Sequence, residues 1–102
     1  MEEQLLVGTV FEYYSPTHGF HKWVIVKNIP TSKYVLCAII SSKFNKFSIE
    51  ITPNECINLS KVSYIQMDNI LSIEKRFVHK SKCKIMCSTL VNNLKKIFNK
   101  LY

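Results

Sequence analysis

Two apolar runs separated by a short connector constrain the fold of this chain more than any other feature. Residues 23–29 (WVIVKNI) and 34–42 (YVLCAIISS) are rich in β-branched and aromatic residues, and residues 30–33 (PTSK) between them are turn formers. Neither run alternates cleanly between apolar and polar residues, so both faces of each strand are expected to be covered. The pattern predicts a hairpin of two buried strands at the centre of a small sheet.

Further segments have the composition of short strands. They are residues 8–14, 47–52, 62–67 and 70–75. The alternation within residues 47–52 predicts that Phe47, Ile49 and Ile51 face the core. Residues 68–69 (DN) separate the last two segments and predict a turn. Together with the hairpin, these segments predict six or seven short strands and therefore a small barrel or sandwich.

The final segment changes from the period of a strand to that of a helix. One helical stripe contains its apolar residues, which are Leu90, Val91, Leu94, Ile97, Phe98 and Leu101. Ser88 is a suitable N-cap for this helix. The sequence therefore predicts one α+β domain, mainly β, over residues 1–102. Within it the sheet spans about 5–76, a basic loop about 77–87 and the helix about 88–101.

The positive charge of the chain is concentrated towards its C-terminal end. Residues 1–74 contain six lysines and seven acidic residues, whereas residues 75–102 contain eight basic residues and no acidic one. A one-sided basic block of this kind favours a polyanion such as nucleic acid, or an acidic protein, as the partner. The alternative is a solvated helix face that binds nothing.

The four cysteines do not have the spacing of a metal site. Cys83 and Cys87 are four residues apart, but Cys37 and Cys56 are isolated, whereas zinc needs two close pairs or a Cys/His cluster. We therefore expect free thiols in a reducing compartment, with no metal and no cofactor. The first residues lack a signal-peptide pattern, and no segment approaches the ~20 apolar residues of a membrane helix. A cytoplasmic protein that does not associate with a membrane is the expectation.

Four segments, taken in order, resemble the PemK/MazF family, the ribonuclease toxins of bacterial toxin–antitoxin pairs. Residues 8–19 (GTVFEYYSPTHG) resemble the opening strand and the Pro-Thr-x-Gly loop of that family. Residues 22–28 (KWVIVKN) lie where the family has an Arg-Pro, an apolar strand and an Asn. Residues 37–43 (CAIISSK) resemble the third strand, which ends in Thr or Ser, and residues 62–76 resemble the stretch with Arg-Thr-Ile-Asp-Lys. The order and spacing of the segments carry the resemblance.

The resemblance implies a small SH3-like barrel with a C-terminal helix, usually a homodimer. Its members cut single-stranded RNA without a metal, through attack of the ribose 2′-hydroxyl on the adjacent phosphate. Such a reaction requires a base, an acid and a cation at the phosphate. The resemblance also implies an acidic cognate antitoxin as the protein partner.

The residues that would perform this chemistry match the family only in part. Ser41 corresponds to the Thr/Ser at the end of the third strand, but the arginine after the first loop is absent. His21 and Lys22 are nearest to it, within residues 15–22, whose composition predicts a loop. Histidine suits proton transfer near neutral pH, so His21, Ser41 and Lys22 are predicted to be catalytic. The residues predicted to contact RNA are His18, Ser42, Lys43, Gln66 and Asp68.

The missing arginine leaves two functions open. An ammonium lacks the planar, bidentate geometry with which a guanidinium holds a phosphate. If Lys22 cannot replace the arginine, the chain is a non-catalytic SH3-like module that binds nucleic acid or a protein partner. If Lys22 can replace it, the chain is a toxin-like endoribonuclease, which is our primary interpretation of the sequence.

Overall fold

The computed structural model describes residues 6–51, 61–79, 84–85 and 88–102. Its strands are β1 (Thr9–Ser15), β2 (Gly19–Asn28), β3 (Tyr34–Ser41), β4 (Ser48–Ile51), β5 (Ser63–Glu74) and β6 (Lys84–Ile85). Its helices are α1 (Lys75–His79) and α2 (Ser88–Leu101). The predicted C-terminal helix is confirmed, with the predicted bounds of 88–101.

The strands form one sheet in the order β4-β5-β3-β2-β1-β6. Each neighbouring pair in this order is antiparallel. The predicted class, a mainly β domain with a C-terminal helix, is therefore confirmed. Within the described residues β4 and β6 are the two edges and do not pair with each other, so the barrel remains a prediction.

The β2–β3 hairpin lies at the centre of the sheet, as the two apolar runs predicted. Trp23 and Ile25 face one hydrophobic core, and Val24 and Val26 face another on the opposite side of the sheet. All four side chains are almost fully buried. Both faces of the central strands are thus covered, which explains why neither apolar run alternates with polar residues.

The two helices lie on opposite faces of the sheet. The core on the α2 side consists of Val10, Val24, Val26, Ala38, Ile40, Ile49, Ile51, Ile65, Met67, Leu94 and Phe98. The core on the α1 side consists of Phe11, Trp23, Ile25, Val35, Cys37, Ile39, Ile73 and Val78. Among the described residues, the helices contribute three of these buried side chains, with Val91, Ile97 and Phe77 packed beside them. The strands therefore supply most of the apolar surface that stabilises the fold.

Cys37 is a buried free thiol, as the sequence predicted. Burial raises the pKa of the Cys37 thiol, because the thiolate would lose its hydration. This side chain therefore acts as a small apolar residue of the core on the α1 side. The predictions for Cys56, Cys83 and Cys87 concern positions outside the described residues.

The loop predicted over residues 15–22 is largely a strand. Ser15 ends β1, Gly19 begins β2, and the two residues are paired in register. Gly19 has a φ of 77°, a conformation that glycine adopts without the strain a side chain would cause. The chain can therefore reverse in a short turn, and His21 and Lys22 lie in β2.

The turn predicted at residues 68–69 is wrong, because β5 runs through them without interruption. The pairing of β5 with β3 shifts at this point, from Ala38 with Ile70 to Ile40 with Ile65. More residues of β5 than of β3 lie between these pairs, so β5 bulges. Pairing continues on both sides of the bulge, which accommodates the two polar residues without reversing the chain.

The basic loop predicted over residues 77–87 contains regular structure. Helix α1 extends into it as far as His79, and Lys84–Ile85 form β6 on the outer edge of β1. A two-residue strand is too short to leave a periodic signal in the sequence. Residues 80–83 and 86–87 lie outside the described part of the chain.

Strand β4 begins one residue later than the alternating pattern predicted. Ile49 and Ile51 are buried, as expected, but Phe47 is exposed. Phe47 belongs to the turn that precedes β4, because its backbone N–H donates to Asn45 Oδ1 at 2.8 Å. Thr52, the last residue of the predicted strand, lies outside the described part of the chain.

Candidate functional site

A basic groove opens at the end of the sheet where β2 and β5 begin and β3 ends. Its volume is about 370 Å³, within the range of sites that bind small molecules. The described residues that line it are His21, Lys22, Ile40, Ser41, Ser42, Lys43, Lys61 and Ser63. This set contains three lysines, one histidine and three serines but no carboxylate, so the groove is suited to an anion.

The register of the sheet places two of the predicted catalytic residues, His21 and Ser41, side by side. Lys22 of β2 pairs with Ile40 of β3, and the same register carried one residue further places His21 beside Ser41. These three polar side chains are partly buried. Successive residues of a strand point to opposite faces, so His21 and Ser41 share the face of Trp23, whereas Lys22 lies on the opposite face with Ile40. These residues therefore line the groove from both sides of the sheet end.

Ser41 keeps a hydroxyl proton available for a bound group. The backbone N–H of Lys43 donates to Ser41 Oγ at 3.2 Å, which uses one acceptor position of that oxygen. A serine hydroxyl can accept and donate at the same time. Ser41 can therefore donate a hydrogen bond into the groove while it holds the start of the loop that follows β3.

Two lining residues, Lys61 and Ser63, were not predicted from the sequence. Ser63 begins β5 and pairs with Ile51 of β4, and Lys61 immediately precedes it. Both residues reach the groove because β5 pairs with β3, with Tyr64 opposite Ser41. The pairing of strands so distant in sequence left no local signal at either residue.

Gln66 and Asp68, both predicted to contact RNA, lie outside the lining of the groove. The buried Gln66 amide donates to the carbonyl of Lys43 and accepts from the Asn45 side-chain amide. Asn45 Nδ2 also donates to Asp68 Oδ1, at 3.2 Å. The structure therefore places Gln66 and Asp68 where they hold the segment between β3 and β4.

Asn45 is the centre of this segment, and sequence reasoning missed it. Besides its contacts with β5, its backbone N–H donates to Ser48 Oγ at 3.2 Å, and its carbonyl accepts from the same hydroxyl at 2.7 Å. Asn is common in turns because its side chain can hydrogen-bond to the nearby backbone, which is the only signal that could have identified it. These bonds, with that from Gln66 to the Lys43 carbonyl, hold Lys43 at the groove that it lines.

His18 also lies outside the lining of the groove. Its Nδ1 lies 2.9 Å from Thr17 Oγ1, its Nε2 lies 3.2 Å from Asn69 Nδ2, and its ring lies edge-on to Trp23. His18 Nε2 accepts from the Asn69 amide N–H in the tautomer whose proton is on Nδ1. His18 thus links the β1–β2 turn to the bulge of β5.

Arg76, the one arginine in the sequence, does not replace the arginine that the family would have at the site. It lies just after β5, at the end of that strand opposite the groove. Its Nε is 2.7 Å from Glu74 Oε2, and its guanidinium lies over the Phe77 ring. The cations available in the groove are therefore the ammonium groups of lysines.

Comparison with known proteins gives no match, either among protein-family models or among curated proteins. The resemblance to the ribonuclease toxins consequently remains a prediction from the residues quoted above. None of the helices in the described part of the chain has the length and apolar character needed to cross a lipid bilayer.

Proposed function

We propose that this chain is an endoribonuclease that cuts single-stranded RNA by attack of the ribose 2′-hydroxyl on the adjacent phosphate. The observation that supports this function best is the groove in which His21, Lys22 and Ser41 lie together, with no carboxylate among the described lining residues. An anionic phosphodiester is the ligand that such a set favours.

The lysines would bind the phosphodiester and stabilise the charge that develops on it. Lys22, Lys43 and Lys61 line the same groove, so several ammonium groups can reach one phosphate and its neighbours. Hydrogen bonds from charged donors to phosphate oxygens are about twice as strong as those between neutral groups. Ser41 can add a neutral donor from the end of β3.

His21 is the group suited to the proton transfer. In the proposed step, its neutral imidazole takes the proton of the 2′-hydroxyl, and the 2′-oxygen forms a bond with phosphorus. The bond from phosphorus to the 5′-oxygen breaks, and that oxygen receives a proton from a lysine ammonium in the groove. The products are a 2′,3′-cyclic phosphate and a 5′-hydroxyl, and the lysine recovers its proton from the imidazolium.

The resemblance to PemK/MazF toxins supports the same proposal. Ser41 has the position of the family's Thr/Ser, and Lys22 is the cation nearest to the missing arginine. The family's acidic antitoxin would find a complementary surface on α2, where Lys95, Lys96 and Lys100 are exposed. The proposal therefore extends to an acidic protein that inhibits the nuclease.

The purified protein is expected to cut an unstructured RNA in the presence of EDTA and to leave a 5′-hydroxyl end. DNA of the same sequence should remain intact because it lacks the attacking 2′-hydroxyl. Product ends are identified by kinase labelling and by mass spectrometry. If the protein binds RNA in a salt-dependent manner but never cuts it, the groove belongs to a non-catalytic nucleic-acid-binding module.

Lys22→Ala is expected to lower the cleavage rate about tenfold, since it removes one charged donor while Lys43 and Lys61 remain. Lys22→Arg should preserve or raise the rate, because a guanidinium can hold two phosphate oxygens at once. Lys33→Ala is the matched control, as Lys33 lies beside Tyr34 at the far end of β3. An equal loss in Lys22→Ala and Lys33→Ala would indicate a general effect of charge and contradict the placement of the phosphate.

A further inference from the structure

An exposed aromatic ring immediately follows a lining residue of the basic groove. Phe44 follows Lys43 in the segment between β3 and β4, and its side chain is 73% exposed. Leaving a phenylalanine in water forfeits the free energy that its burial would contribute. The ring is nevertheless well supported, since it lies edge-on to Tyr64 with 5.6 Å between the ring centroids.

The position of this ring is fixed from both sides. Tyr64 belongs to β5, where it pairs with Ser41 of the groove, and its hydroxyl donates to Glu50 Oε1 at 3.4 Å. The backbone around Phe44 is held by the hydrogen bonds of Asn45 and Gln66 described above. The ring of Phe44 is therefore held next to Lys43, one of the residues that would bind phosphate.

We propose that Phe44, supported by Tyr64, is a stacking platform for an unpaired nucleobase whose phosphate lies in the groove. This inference rests on the proposed function, because it assumes that the groove holds the backbone of a nucleic acid. Aromatic rings beside a basic groove are the usual means of binding single strands, since every base has a face that can stack. Lys43 adjoins the platform and belongs to the groove, which gives the surface the charge that a nucleotide requires.

Other exposed aromatic residues fit this role less well. Tyr14 and Phe20 are also exposed and pair with each other across β1 and β2, but within the described residues neither ring is supported by a second aromatic ring as Phe44 is. Tyr34 is exposed beside Lys33 at the opposite end of β3. Tyr34 therefore supplies a matched control, an aromatic residue with a neighbouring lysine but without the groove.

The test compares binding of two oligonucleotides by fluorescence anisotropy. One is a single-stranded RNA of 2′-O-methyluridines, which the proposed reaction cannot cut because the attacking hydroxyl is blocked. The other has the same phosphates and blocked sugars but abasic sites in place of the bases. The wild-type protein should bind the RNA about tenfold more tightly than the abasic strand, a plausible value for one stacked base. Phe44→Ala should lose this difference while its affinity for the abasic strand is unchanged, and Tyr34→Ala should retain it.

A tryptophan at the platform gives a second measurement. Trp23 is the one tryptophan of the chain and is fully buried, so Phe44→Trp adds an indole whose emission reports on the surface. RNA should quench this emission, and the variant should bind RNA at least as tightly as the wild type. Tyr64→Phe keeps the supporting ring and should leave binding unchanged.

The possible results separate a failure of the stacking proposal for Phe44 from a failure of the proposed function. If wild-type protein prefers the RNA over the abasic strand but Phe44→Ala keeps that preference, the bases are bound elsewhere and the platform is wrong. If both strands bind equally to the wild type, the groove binds phosphates alone and the platform is again wrong. If neither strand binds, the proposed function and the platform are both overturned.

Discussion

His21→Ala is expected to reduce the rate of RNA cleavage by about 10²–10⁴, the usual loss when one positioned acid or base is removed. His21 is the one histidine among the described residues that line the groove. Its place beside Ser41 follows from regular pairing of β2 with β3, so the alanine variant should keep the fold. Affinity for RNA should change little, because the three lysines of the groove remain.

Single-turnover cleavage and binding, measured on the same variant, separate chemistry from affinity. Ser41→Ala should also slow cleavage, by the loss of one donor at the phosphate, and should leave the circular dichroism spectrum unchanged. His18→Ala is the matched control, since His18 contacts Thr17, Asn69 and Trp23 and does not line the groove. If His21→Ala cuts as fast as the wild type, the reaction takes place somewhere other than this groove.

The central part of the fold could be predicted from the sequence because its signals are local. The runs at 23–29 and 34–42 lack alternation, which follows directly from burial on both faces of β2 and β3. The apolar stripe of α2 runs from Leu90 to Leu101 and marks the end of the helix, and Ser88, a suitable N-cap, marks its start. The turn predicted at residues 68–69 is wrong because Asp and Asn favour turns only as a local preference. In the folded chain the pairing of β5 with β3 decides their conformation.

The candidate site was predictable where its residues adjoin a recognisable strand. His21 and Lys22 precede the first apolar run, whereas Ser41 and Ser42 end the second and Lys43 follows it. All five residues line the groove. Lys61 and Ser63 enter it through long-range pairing of β5, which no local pattern encodes. Asn45 and Phe44 acquire their proposed importance from contacts with Gln66 and Tyr64, more than 18 residues away along the chain, so only the folded structure brings them together.

Trp23→Ala is expected to lower the free energy of unfolding by about 3–5 kcal/mol, the usual cost of truncating a buried tryptophan or phenylalanine. Trp23 is fully buried in the core on the α1 side, where its ring contacts those of Tyr13 and His18. A loss of this size is a large part of the 5–15 kcal/mol that stabilises a typical domain. Urea denaturation followed by circular dichroism should show a lower midpoint with an unchanged slope.

Trp23→Phe should lower the free energy of unfolding by much less, about 1 kcal/mol, because two effects oppose each other. The smaller ring leaves a cavity in the core on the α1 side, which destabilises the fold. However, the indole Nε1–H is buried without a hydrogen-bond acceptor among the described residues, and an unpaired buried donor costs roughly 1–3 kcal/mol. Phenylalanine removes that donor and so recovers part of the loss. If Trp23→Phe is as unstable as Trp23→Ala, the indole N–H has a partner in the folded protein, and the residue contributes a hydrogen bond as well as apolar contacts.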